Sequence, residues 1–191
     1  MHYIKSRIIL NTTGSLPLKK IRSKLDNSFS ENNASQYGWA REAMRVALDE
    51  AAAATTHGDV PIGAVIVRNG NIIARQHNRR ELDQDPTAHA EILVLREAAS
   101  LLGTWRLADC SVVVTLEPCI MCAGALALSR ISSLIFGAYD QKMGACGTLY
   151  NISCDPRINH QFNVTSGIME EECAVILKDF FENLRLPDKT Q

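Results

Sequence analysis

The 191-residue chain has no apolar run long enough to span a bilayer, no apolar signal segment and no lipid-anchor motif. These absences argue against a membrane-inserted or membrane-anchored role. Net charge is nearly absent too. Twenty Lys and Arg stand against 21 Asp and Glu, so bulk charge offers no handle to a polyanion. No internal repeat is visible. Six cysteines are present, but without a secretory segment they read as cytosolic thiols and not as a disulfide framework. What remains is a composition of 46% apolar and 21% charged residues, enough for one globular domain with a substantial core.

The charge is uneven along the chain. Residues 1–31 carry six basic side chains (Lys5, Arg7, Lys19, Lys20, Arg22, Lys24) against Asp26 and Glu31. The remainder holds 14 basic against 19 acidic residues. Residues 1–36 lack sustained periodicity and form an expected basic, disordered N-terminal extension, with 37–191 as the globular domain. The same extension also fits a targeting peptide or a basic arm for RNA. Any contact with nucleic acid by the globular part would rest on local basic residues such as Arg75, His77, Arg79 and Arg80.

From Trp39 the periodicity sharpens. Ala40, Ala43, Met44, Ala47, Leu48 and Ala51 predict a helix ending near Gly58. Ile62 to Val67 and Ile72 to Gln76 predict a hairpin turning at Asn69-Gly70. Asp85-Pro86-Thr87 predicts the start of a second helix reaching Leu102. Ser111 to Leu116 (SVVVTL) reads as a strand covered on both faces. A third helix is expected over Cys119 to Ser129 and another strand over Ile131 to Phe136. Residues 138–160 read as loop, a further strand is left open before the last helix, and that helix runs from Glu170 to Leu184. Strands alternating with helices predict an α/β fold, a three-layer αβα sandwich around a mixed sheet.

Two short segments carry the chemistry. His89-Ala90-Glu91 and Pro118-Cys119-Ile120-Met121-Cys122 supply three zinc-type ligands, His89, Cys119 and Cys122, and one carboxylate, Glu91. Three protein ligands leave the fourth tetrahedral position open, as in catalytic zinc sites. Cysteines three apart share one helix face, and a helix N-terminus favours the thiolate that binds metal. The two segments are expected in the first turns of the second and third helices. Glu91 is close enough to serve water at such a site without ligating the ion. That combination suits hydrolytic removal of an amine from an amidine-like carbon. A structural zinc site or a redox pair is the alternative for Cys119 and Cys122, but no other cysteine has ligand-pair spacing.

The H-x-E and P-C-x-x-C elements are the known signature of zinc nucleobase deaminases. Further stretches narrow the match: Asp85–Ile92 (DPTAHAEI), Leu116–Ala125 (LEPCIMCAGA), Ser129-Arg130-Ile131 and Phe136–Ala145 (FGAYDQKMGA). From about Trp39 to Leu184 the chain resembles the bacterial tRNA-specific adenosine deaminases of the cytidine deaminase superfamily. The resemblance implies adenosine-to-inosine conversion at the wobble position of an arginine tRNA. It implies a homodimer whose sites draw on both subunits, one Zn²⁺ per subunit and a cytoplasmic setting. It assigns His89, Cys119 and Cys122 to zinc and Glu91 to proton transfer. Asn78 falls where the family hydrogen-bonds the flipped adenine, and Asp140 where it contacts the preceding sugar. Extruding a base from an anticodon loop costs less than from a duplex, which suits such a partner.

Two features depart from that family. The C-terminal Leu186–Gln191 is nearly neutral where relatives often carry a basic helix or tail, and the N-terminal extension is long. Arg79, Arg80, Lys142, Arg157 and His160 are the candidate phosphate contacts of the globular part. A small-molecule deaminase acting on guanine or cytosine shares the zinc kit and is the competing reading. A non-catalytic tRNA-binding subunit is a third, and there Glu91 would be dispensable.

Overall fold

The structure, a computed structural model, describes residues 38–185. The basic extension at 1–36 and the neutral tail at 186–191 lie outside the described residues. Helix α1 (Gly38–Ala54) buries Ala40, Ala43, Met44, Ala47, Ala51 and Ala54, an apolar stripe at helical spacing. A 3₁₀ turn at Thr55–His57 and left-handed Gly58 end it. Strands β1 (Gly63–Arg68) and β2 (Asn71–His77) form the expected hairpin. Asn69 and Gly70 both have positive φ, 51° and 77°, as a tight type I′ turn requires. Then follow α2 (Arg80–Asp83), α3 (Ala90–Leu102), β3 (Cys110–Leu116), α4 (Ile120–Leu128), β4 (Ser133–Ala138), β5 (Asn163–Ser166) and α5 (Glu170–Arg185).

The sheet order is β2-β1-β3-β4-β5. β1 runs antiparallel to both β2 and β3, whereas β3, β4 and β5 are mutually parallel. Four strands therefore point one way and only β1 points back. Helices α1 and α5 cover one face, and α3 and α4 the other. Side-chain alternation sorts the core accordingly. Ala64, Ile66, Val112, Val114, Leu134 and Phe136 pack with Val94 of α3 and Leu126 of α4. Val65, Val113 and Ile135 fill the opposite side. Burial on both faces explains why β3 reads as one continuous apolar run. The three-layer αβα sandwich is the expected one.

Three local expectations need correction. The second helix begins at Ala90 and not near Asp85. The Asp85 carboxylate accepts the backbone N–H and hydroxyl of Thr87, both at 2.7 Å, and holds a turn instead of a helical start. Strand β4 starts at Ser133, because Arg130 adopts a left-handed turn (φ 65°) and delays the extended run. Helix α2 was not anticipated. It is held by the buried Asp59 carboxylate, which accepts the N–H of Glu81 at 3.0 Å and of Leu82 at 3.1 Å.

Candidate active site

β2, β3 and β4 end at the same edge of the sheet, where α/β folds place their sites. β2 leads to Asn78 and on to α3, and β3 leads to Glu117-Pro118 and α4. His89 and Cys119 are extended residues immediately preceding their helices, with φ and ψ of −78° and 148° and of −70° and 174°. They stand at the helix mouths, not inside the first turns as the sequence suggested. Cys122 and Glu91 do lie in first turns. His89 Nδ1 is 3.8 Å from Cys119 Sγ and 3.5 Å from Cys122 Sγ. The three potential ligand atoms lie within 4.8 Å of one another.

This spacing fits a tetrahedral ion. Ordinary zinc–sulfur and zinc–nitrogen bond lengths at a tetrahedral angle separate N and S by about 3.6 Å. Among the described residues no fourth His, Cys, Asp or Glu joins the group, which leaves one position for a non-protein ligand. Glu91 is buried, and its Oε2 has no hydrogen-bond partner. A buried, unanswered carboxylate oxygen beside three metal-type ligands marks a place for something the protein itself does not provide. The donor set and the orphan oxygen together fit a catalytic zinc site.

The titrations agree with the geometry. Hydrogen bonding from Cys122 holds the Cys119 thiol down at about 4, against the opposing effect of burial and with help from His89. Cys122, the donor in that pair and deeply buried, is shifted strongly upward. The His89 imidazole is raised, chiefly by its hydrogen bond to Cys119 and despite burial. Burial pushes Glu91 up to about 7, partly offset by its own backbone N–H and by His89. Cys110, Cys146 and Cys173 are buried thiols pushed up by desolvation to about 11, 12 and 12. Together with exposed Cys154 they are free cysteines that do not join the ligand cluster.

Asn78 abuts the site. Its backbone N–H donates to Ile62 at 3.0 Å and its Oδ1 accepts the N–H of Ala90 at 2.9 Å, fixing it to the first residue of α3. Among the described residues its amide nitrogen makes no hydrogen bond. Asp140 is half-buried on the loop after β4 and accepts the N–H of Lys142 and Met143 through Oδ1. It is linked to the ligand segment through Glu117, whose Oε2 accepts the Asp140 N–H at 3.2 Å, and through Gly144, whose N–H donates to the Asp140 carbonyl at 3.0 Å and which pairs with Cys119. The expected basic contacts are largely engaged internally. Arg75 and His77 both pair with Glu50, Arg79 with Asp83 and Arg157 with Asp155, and His160 bonds the Ile131 carbonyl. Among the described residues Arg80 and Lys142 have no ion-pair partner. Glu117 was missed as a site residue. Its signal was a carboxylate between a buried strand and a candidate ligand, in the apolar setting of Thr115–Cys122.

The MafB19-like deaminase family matches residues 40–185. The tRNA-specific adenosine deaminase of Bacillus subtilis (strain 168) is 54% identical over 146 residues, covering 76% of this chain and 91% of that protein. A solved structure from work on A-to-I editing by tRNA:A34 deaminases at the wobble position aligns with a TM-score of 0.69 and 46% identity. It covers 71% of this chain and 99% of that one. A guanine deaminase from Nitrosomonas europaea shares the fold more distantly, with a TM-score of 0.62 and 27% identity over 73% of this chain and 83% of that one. Likeness of this extent over the whole described sandwich, with both ligand segments inside it, means that the chain belongs to the tRNA-specific adenosine deaminase family.

Proposed function

We propose that the chain hydrolytically deaminates adenosine to inosine at the wobble position of a tRNA, an arginine tRNA first among candidates. One observation carries the chemistry: His89, Cys119 and Cys122 converge at two helix mouths beside the buried, unpartnered oxygen of Glu91. Residues 37–191 form the deaminase domain in this reading. His89, Cys119 and Cys122 would hold one Zn²⁺ per subunit, and the bound ion would supply the Lewis acidity that brings water's proton loss near neutral pH. Glu91 takes a proton from the attacking water and delivers it to adenine N1 as the oxygen bonds C6; it then takes the second proton from the new C6 hydroxyl and gives it to N6, so that C6–N6 breaks, the C6 carbonyl forms and ammonia leaves. Its raised titration, about 7, suits a group that accepts and returns a proton near neutral pH. Asn78 is placed to read the flipped base and Asp140 the neighbouring sugar.

Two further parts of the reading have structural support. On the α3–α4 face Trp105 and Leu128, 54% and 70% exposed, line an apolar groove of about 340 Å³ together with Ile92, Leu95 and Ala125. Ile120, Met121, Gly124 and Leu128 share the outward side of α4. A continuous apolar surface of this kind fits a homodimer with the two helix mouths close to the interface. Six free thiols suit a cytoplasmic setting. Among the described residues no helix is long and apolar enough to cross a membrane.

The test is inosine formation by the zinc-loaded protein. The substrates are an arginine anticodon stem-loop with adenosine at the wobble position, free adenosine, guanine and cytosine. Inosine at that position, with the free compounds unchanged, is the expected result. Turnover of guanine with the stem-loop untouched would instead place the chain with the more distant guanine deaminases.

A further inference from the structure

We propose that Glu117 is a positioning residue of the site. Its buried carboxylate fastens the 140–148 loop to the end of β3 and so holds Asp140 where the anticodon loop docks. The nature of what docks rests on the deaminase reading above.

Glu117 is 2% exposed. Its Oε1 accepts the N–H of Cys146 and of Thr148, both at 3.0 Å. Its Oε2 accepts the Asp140 N–H at 3.2 Å and the Thr148 hydroxyl. Among the described residues no Lys, Arg or His pairs with it. Its charge is therefore answered by backbone and hydroxyl dipoles alone, as in anion-binding nests. A buried carboxylate is tolerated only when so satisfied. Four donors on two oxygens require an acceptor-only group. A glutamine would turn its amide N–H₂ toward N–H donors and leave them unpaired.

The loop closes tightly around this group. The Ala145 N–H donates to the Pro118 carbonyl at 2.9 Å, and Cys119 pairs with Gly144 across an isolated bridge. A Cβ on Gly144 would overlap Glu117 Oε2 and stand 2.5 Å from the Asp140 carbonyl. One side chain thus ties the residue preceding Pro118-Cys119 to the loop bearing Asp140. Asp140 uses Oδ1 for its own turn, and among the described residues its Oδ2 makes no hydrogen bond. A fastened loop would present that oxygen to a substrate hydroxyl in one place. A loosened loop would make substrate binding supply the ordering.

The experiment compares wild type, Glu117→Gln and Thr148→Val, each zinc-loaded. Readouts are kcat and KM on the stem-loop, zinc per chain, and amide hydrogen exchange. In Glu117→Gln, KM is expected to rise by about tenfold or more, the weight of a charge-assisted hydrogen bond. Saturated kcat and zinc content stay near wild type, and exchange quickens at Asp140, Cys146 and Thr148 but not along α4. Thr148→Val keeps the carboxylate, removes one donor, and should show the same pattern more weakly. It decides the matter if Glu117→Gln does not fold. A lower apparent kcat with unchanged KM would mean only a smaller folded fraction and would overturn the proposal, as would unchanged exchange at the three amides. If wild type makes no inosine, the deaminase reading falls. The exchange pattern still decides whether Glu117 fastens the loop.

Discussion

Gly63, the first residue of β1, lies close against α1. A Cβ there would overlap the Ala47 carbonyl oxygen and stand 2.6 Å from the Ala51 nitrogen and 2.9 Å from Glu50 Cβ. Ordinary contact begins at 3.4 Å, so clearing the Ala47 carbonyl oxygen requires Gly63→Ala to lift α1 by about 1.4 Å or bend β1 by as much. The obstacles include backbone atoms that no rotamer change can remove. Overpacking therefore falls at the upper end of its usual range, about 3 kcal/mol. Alanine's smaller unfolded-state entropy returns about 0.4–1 kcal/mol. The net loss is about 2 kcal/mol, or roughly 4–8 °C in Tm for a domain of this size. Urea unfolding followed by the fluorescence of Trp39 and Trp105 should show a lower midpoint with an unchanged slope. A functional loss should accompany it. Glu50 of α1 accepts from His77 Nδ1 at 2.7 Å, and His77 directly precedes Asn78, so lifting α1 disturbs the end of β2 that leads to the ligand cluster. A Gly63→Ala protein with a midpoint equal to or above wild type would refute this account of how α1 seats.

Glu91→Gln should keep its zinc and fold while turnover falls by about 10²–10⁴-fold. Cys119→Ala should lose the ion by elemental analysis, and full zinc occupancy in that variant would disprove the ligand set. Asp59→Asn tests the anchor of α2. Burial raises the Asp59 carboxyl, but the N–H groups of Glu81 and Leu82 and the His57 ring more than cancel it, leaving it below its ordinary 3.8. A depressed folded-state value stabilises above the unfolded one, and that contribution fades as pH falls through the folded one. Unfolding free energies from urea titration should therefore differ by about 1–3 kcal/mol near pH 7 and converge below about pH 4. Leu128→Lys, a charge placed on the exposed α3–α4 face, should shift sedimentation from dimer toward monomer. A species unchanged from wild type would remove that face as the interface.

Helix α1, the Asn69-Gly70 hairpin, β3 and both ligand segments were legible because each is specified within a dozen residues by periodicity, turn chemistry or motif spacing. The boundaries of α3 and α4 were less legible. His89 and Cys119 stay extended to serve as helix entrances, and periodicity does not report the backbone of the preceding residue. Helix α2 was hidden because its four residues depend on Asp59, 22 positions before Glu81. β5 was left open and unplaced because Asn163–Ser166 is a short polar edge strand with no apolar alternation. The 140–148 segment read as plain loop because its order comes from one distant carboxylate and not from its own composition.

That distance has a kinetic consequence. Glu117 bonds residues 23, 29 and 31 positions further along the chain. The β1–β2 hairpin and the helices flanking it close over much shorter separations, so loop-closure entropy favours their formation first. A contact completed after the main barrier governs escape from the native state more than arrival at it. In stopped-flow urea experiments, Glu117→Gln should steepen loss of the native state by raising the unfolding arm of the chevron. The refolding arm should remain where wild type has it.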